Sequence, residues 1–187
     1  SMGRRLHRYA NGEDDSPVLA EPAEAKGYSI STTFREDLTE MSAARLVLLD
    51  LADSVTARMR ADEKRAGGVS VTMRSSDFRD RSHQTRLIEP TDVTDEVCET
   101  AQRLLAEAWN GRTPLRLLGI ALTHLTSEDA LQLSLFSDER RERARRMDKA
   151  VDALRRDLGF DIIRRGGGAD VGRKYRAQLE NRREHRP

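Results

Sequence analysis

An α+β fold, four antiparallel strands backed on one side by two helices, is what the order of patterned segments in this chain predicts. Three observations carry that prediction. Val69, Val71 and Met73 alternate with Ser70, Thr72 and Arg74, the period of two that gives a strand one apolar and one polar face. Two longer stretches, Met41 to Met59 and Val97 to Ala108, repeat apolar residues at helical spacing instead. The eleven residues Leu115 to Leu125 (LRLLGIALTHL) are rich in Leu and Ile, as a mostly buried central strand is.

In chain order, Gly12, Pro17, Pro22 and Gly27 break a charged opening segment, so residues 1–27 read as a helix end near Arg4 to Ala10 followed by a linker. Ser1-Met2 reads as an expression scar, and the chain is expected to be a piece of something longer. Tyr28 to Phe34 is β-branched and polar, a strand with Ser29, Ser31 and Thr33 along one face. Asp37-Leu38-Thr39-Glu40 has the spacing of a capping box, which predicts a helix running to about Lys64 with Met41, Leu48, Leu49, Ala52, Val55 and Met59 as its stripe. Gly67-Gly68 then supply a turn into the strand at Val69. That strand turns through Ser75, Ser76, Asp77 and Phe78, with Arg79 and Arg81 in the turn, and returns as Gln84 to Ile88. Thr94 to Trp109 is the next helix, ended by a left-handed cap at Asn110-Gly111.

Strand, helix, strand, strand, helix, strand is the split βαβ, or ferredoxin-like, arrangement. Its two helices leave one sheet face open, carrying Ser29, Ser31, Ser70, Thr72, Arg74 and Arg86; which residues of the last strand join them is not decided by its near-continuous apolarity. Hydroxyls and guanidinium groups at regular spacing suit either a solvated sheet face or a phosphate backbone. Beyond residue 125, Ser137 or Asp138 caps a C-terminal helical extension to about Leu158, with Ala144, Met147, Val151, Leu154 and Leu158 apolar, Arg on its other faces and Gly159 as C-cap. Phe160 to Ile163 reads as a short extended piece, and residues 164–187 as a flexible tail. The domains are thus 1–27, 28–125 and 126–187.

Charge is segregated rather than uniform. Net charge is +1 overall but −4 over residues 1–57, +4 over 58–87, −7 over 88–139 and +8 over 140–187, which points to a local polyanion site. Cys98 is the single cysteine, so no internal disulfide forms; it sits on an apolar helix face as a small core residue. His7, His83, His124 and His185 lie far apart, no metal site and no nucleophilic catalytic set stand out, and each histidine reads as an ordinary polar residue. Gly166-Gly167-Gly168 follows no strong strand and opens no clear helix, so it is read as tail rather than phosphate loop. With neither a signal peptide nor a transmembrane run, a cytoplasmic monomer is expected. Gln132-Leu133-Ser134-Leu135-Phe136 sets three large apolar residues among charges, either as a connector folded back on the core or as a bound peptide.

Several short motifs occur in a family order: Ser29 to Phe34, Arg74 to Arg79, Thr85-Arg86 with Pro90-Thr91-Asp92, and Pro114 to Ile120. Over roughly residues 24–125 the chain resembles the C-terminal little-finger domain of Y-family translesion DNA polymerases, in the bacterial DNA polymerase IV (DinB) and UmuC-like branch. Gly3 to Val18 resembles the end of that family's thumb domain. The resemblance implies an open sheet face against the DNA major groove, gripping phosphates of primer–template without reading sequence, around Ser31, Thr32, Thr33, Arg74, Ser75, Ser76, Arg79 and Arg86. It also implies that Gln132, Leu133, Ser134, Leu135 and Phe136 form a sliding-clamp-binding pentapeptide, although relatives often carry theirs at the extreme C-terminus. Catalysis in the family uses palm carboxylates and magnesium, so the parent is expected to bind magnesium while this fragment carries no cofactor and polymerises nothing alone. A catalytically silent homologue acting as a clamp-binding adaptor, and a free-standing ferredoxin-like RNA- or protein-binding module, are the alternatives.

Overall fold

The computed structural model describes residues 2–17, 24–127 and 139–165. A first helix, α1 (Met2–Ala10), precedes β1 (Tyr28–Leu38), α2 (Met41–Ala61), β2 (Lys64–Ser75), β3 (Asp80–Thr91), α3 (Thr94–Ala108) and β4 (Leu115–Ser127). Then come α4 (Glu139–Leu158) and a 3-10 turn at Phe160–Ile162, where an extended piece was expected. The sheet is fully antiparallel in the order β1-β4-β2-β3. Both βαβ units are therefore split: β4 lies between β1 and β2, and β2 lies between β3 and β4. Helix α2 packs on β1 and β4, α3 packs on β2 and β3, and the two helices touch.

Period-two alternation builds the core. Tyr28, Thr32 and Phe34 of β1, Val69, Val71 and Met73 of β2, and Leu118, Ile120 and Leu122 of β4 all point toward the helices and are buried. Leu48, Leu51, Ala52, Val55 and Met59 of α2 meet Val97, Ala101, Leu104 and Leu105 of α3 over that layer. Burying each large aliphatic side chain stabilises the fold by about 1.5–3 kcal/mol. Cys98 belongs to this core, and burial pushes its thiol up to about 11, so it is a thiol and not a thiolate near neutral pH.

Four local expectations are corrected. The capping box does not form: Asp37 and Leu38 extend β1, where Leu38 pairs with Leu115 past an irregularity, and α2 starts at Met41 with no side-chain cap. The turn before β2 is made by Asp62 and Glu63, Glu63 taking a left-handed φ of 53°, while Gly67-Gly68 lie inside β2. Arg81 belongs to β3, which starts at Asp80. The left-handed residue after α3 is Gly111, but the C-cap is an extended Trp109, and the Asn110 carboxamide oxygen accepts from the backbone N–H of Arg112 and Thr113, both at 3.0 Å.

The C-terminal helix differs most from expectation. Its largest apolar side chains face outward: Met147, Leu154 and Leu158 are exposed, while Ala144 and Val151 are half-buried. What faces the domain is charge. Arg60 of α2 donates to Asp152 at 2.6 and 3.1 Å and to the Thr94 hydroxyl at 3.0 Å, and lies 3.3 Å from Asp148. Arg155 donates to Asp53 at 2.6 Å, Arg145 to Asp92 at 2.8 Å, and Arg165 pairs with Asp53, Asp95 and Asp148. Asp148 also accepts the Thr94 backbone N–H at 2.8 Å, so a residue of α4 caps the start of α3.

Candidate nucleic-acid interface

Cross-strand partners in an antiparallel sheet point to the same side, so register alone lays out the face away from the helices. It consists of four rows read from β1 to β3. Thr33, Leu117, Arg74 and Asp80 form the first; Ser31, Gly119, Thr72 and Ser82 the second. Ser29, Ala121, Ser70 and Gln84 form the third, and Thr123, Gly68 and Arg86 the fourth. The outward residues of the central strand are thus Leu117, Gly119, Ala121 and Thr123. Small residues there keep the middle of the face low: a Cβ on Gly119 would come within 2.9 Å of the Ser31 Cβ and 3.2 Å of the Ile30 carbonyl oxygen. Rows repeat about 6.8 Å apart along a strand and neighbours in a row about 4.8 Å.

Of the residues singled out in the sequence, Ser29, Ser31, Thr33, Ser70, Thr72, Arg74 and Arg86 share this face. Ser29, Ser31, Thr33 and Arg86 are exposed, and Thr72 and Arg74 half-buried. Ser70 is buried among its neighbours, its hydroxyl 3.1 Å from that of Ser82. Ser75, Ser76 and Arg79 sit together at the β2–β3 turn, at one end of the sheet. Thr32 does not belong to the face: alternation turns it toward the helices, where it is 4% exposed. The sequence reading missed Ser82, Gln84 and Thr123, because the register placing them opposite Thr72, Ser70 and Gly68 cannot be seen in one strand's pattern.

The charges are less free than the sequence suggests. Arg74 makes a bidentate pair with Asp80, at 2.5 and 2.7 Å. That hydrogen bond and the carboxylate's charge push Arg74 up and hold Asp80 below the usual carboxylate range. Arg79 pairs with Asp77 at 3.1 Å, and the hydrogen bond donated by the Ser75 hydroxyl, more than the guanidinium charge, holds the Asp77 carboxyl below the usual range. The Ser76 backbone N–H is bonded to the Pro114 carbonyl at 3.1 Å. Arg86 has no ion-pair partner among the described residues and is the uncommitted cation of the face. Gln132 to Phe136 lie outside the described residues. Among the described residues no three His, Cys, Asp or Glu side chains converge as a metal set, and no helix is long and apolar enough to cross a membrane.

Residues 25–135 match the family model described as the impB/mucB/samB family C-terminal domain. The chain is similar to DNA polymerase IV of Clostridium acetobutylicum, 35% identical over 85% of this chain and 40% of that one. It is also similar to the enzymes of the same name from Acetivibrio thermocellus (32%, over 84% and 41%) and Brucella melitensis (29%, over 100% and 42%). The chain therefore spans about two-fifths of the length of these relatives. A solved Y-family DNA polymerase chimera aligns over 68% of this chain and 36% of its own, at 16% identity and a TM-score of 0.47.

Proposed function

Since the chain belongs to the impB/mucB/samB C-terminal domain family, the C-terminal domain of Y-family DNA polymerases, we propose that it is the DNA-gripping and clamp-docking part of a translesion polymerase. Three physical features support the grip. The face is uncovered by α2 and α3, it repeats short hydroxyls at strand spacing, and among the described residues it carries Arg86 without an ion-pair partner. Short hydroxyls and backbone-level access hold phosphates without reading base edges, which suits an enzyme that must hold damaged DNA of any sequence. Arg74, already bound to Asp80, orients the first row more than it attracts the polyanion. Strand synthesis itself, with its magnesium, belongs to parts of the parent outside this chain.

The single observation that carries the reading is the four-row lattice of Ser29, Ser31, Thr33, Thr72 and Arg86 on one face. The 187-residue chain should bind duplex or primer–template DNA with a dissociation constant on the order of 10⁻⁴ to 10⁻⁶ M at physiological salt, equally for unrelated sequences and falling linearly on a log–log plot against salt. A strong preference for one sequence contradicts it.

Docking to a sliding clamp is assigned to Gln132 to Phe136, with Gln132 in a polar subsite and Leu135 and Phe136 in an apolar pocket. Phe136→Ala should remove about 2 kcal/mol of clamp affinity, as loss of a buried anchor does. Clamp capture that survives Leu135→Ala together with Phe136→Ala contradicts the assignment.

A further inference from the structure

His124 is the one non-glycine residue inside the sheet with a left-handed backbone among the described residues, at φ 53°. Such a residue departs from the alternation of its strand, and its side chain emerges where the pattern does not place it. The neighbouring glycine locates it. Gly68 pairs with Thr123 on one side and Arg86 on the other, so a Cβ on Gly68 would point to the open face. That Cβ would lie 2.7 Å from the Thr123 hydroxyl oxygen and 2.9 Å from His124 Nδ1. The imidazole therefore lies over Gly68 on the open face, beside Thr123 and next to the strand that carries Arg86. Gly67 is needed as well, since a Cβ there would meet the His124 carbonyl oxygen at 3.0 Å.

The ring is also oriented. Nδ1 sits 3.1 Å from the Thr123 hydroxyl, and among the described residues no hydrogen bond engages Nε2. We infer that His124 is a phosphate-binding residue of the fourth row: the Thr123 hydroxyl donates to Nδ1, which leaves Nε2–H as the donor presented beside the Arg86 cation. Thr123 is the positioning residue and Gly68 the gap that admits the ring. The site takes a phosphodiester oxygen of DNA, and the inference rests on the DNA-gripping reading of this face.

The experiment measures DNA affinity and its salt slope for the 187-residue chain and four variants. His124→Gly keeps the left-handed backbone and removes the ring. It should bind about tenfold more weakly, the lower end of what a hydrogen bond to a charged group contributes. Arg86→Ala should weaken binding and reduce the slope by about 0.9, as loss of one phosphate-neutralising cation does. Gly68→Ala should reproduce the His124→Gly loss with His124 intact, and His124→Asn should melt like the parent chain, Asn tolerating this backbone. In ¹⁵N spectra the neutral His124 ring should show the Nε2–H tautomer. An affinity within twofold of the parent for His124→Gly, or an Nδ1–H ring, overturns the inference. If Arg86→Ala weakens binding and His124→Gly does not, only His124 is wrongly assigned; if the parent chain binds no DNA, the reading of the whole face fails with it.

Discussion

Removing the Asp148 carboxylate should detach α4 from the domain. Asp148 is 2% exposed, caps the Thr94 N–H at 2.8 Å, lies 3.3 Å from Arg60 and pairs with Arg165. Asp148→Ala leaves Arg165 with fewer acidic partners, Arg60 one carboxylate short, and the first turn of α3 with an unpaired buried donor. Arg60 keeps Asp152 and Arg165 keeps Asp53 and Asp95, so the loss should be about 1–3 kcal/mol, set mainly by the buried Thr94 donor left unsatisfied. Asp148→Asn restores an acceptor for Thr94 and should recover about 1 kcal/mol, the contribution of a helix cap. The apolar side of α4 cannot compensate, since Met147, Leu154 and Leu158 point away from the domain. Denaturant unfolding of the 187-residue chain measures the loss, and amide exchange locates it: α4 should lose protection first, then the start of α3. A loss for Asp148→Ala below about 1 kcal/mol, or unchanged protection of α4, refutes the claim that charges hold this helix.

Three further outcomes are expected. Gly119→Val should destabilise the chain by about 1–3 kcal/mol, because the first added carbon already meets Ser31 and the β1 backbone; wild-type stability would contradict the β1–β4 register. Burial, then the hydrogen bond from its hydroxyl to Asp62 at 2.5 Å, raises Tyr28 to about 12. Its neutral form is the one favoured in the folded chain, so this stabilisation is complete below pH 10 and lost as pH rises through about 12. Absorbance titration should show a late-titrating component that Tyr28→Phe removes; the same titration curve above pH 10 in both chains, apart from its amplitude, would refute the burial. The Cys98 thiol, raised to about 11 by burial first and by Asp95 second, should react with iodoacetamide at pH 8 far more slowly in the folded chain than in denaturant, and equal rates would place it outside the core.

The element order was legible because β2 keeps period two while α2 and α3 keep the helical period, and the sidedness of β1 and β2 followed. What failed was decided by tertiary contacts. Asp37 reads as a helix cap, but pairing of Leu38 with Leu115 draws that segment into β1. Gly67-Gly68 read as a turn, yet their missing side chains serve the close approach of Thr123 and His124 inside the sheet. Residues 147, 151, 154 and 158 predict a helix that buries an apolar stripe, whereas α4 docks through Asp148, Asp152 and Arg155, and charge complementarity across elements leaves no periodic trace. Strict alternation already assigned Thr32 to the inner side; only its place between Ser31 and Thr33 put it among the DNA contacts. His124 was read as an ordinary polar residue because a left-handed backbone within a strand has no signature in one sequence.

The proposed DNA-holding surface is the face away from the helices, and not the helical side. Two variants with equal change in net charge decide it: Ser31→Glu with Thr33→Glu on the exposed edge of that face, and Arg45→Ala with Arg103→Ala on α2 and α3. Fluorescence anisotropy with duplex DNA should show more than a tenfold loss for the first pair and a change within twofold for the second. Equal losses in both, or a larger loss from the helical pair, would contradict it.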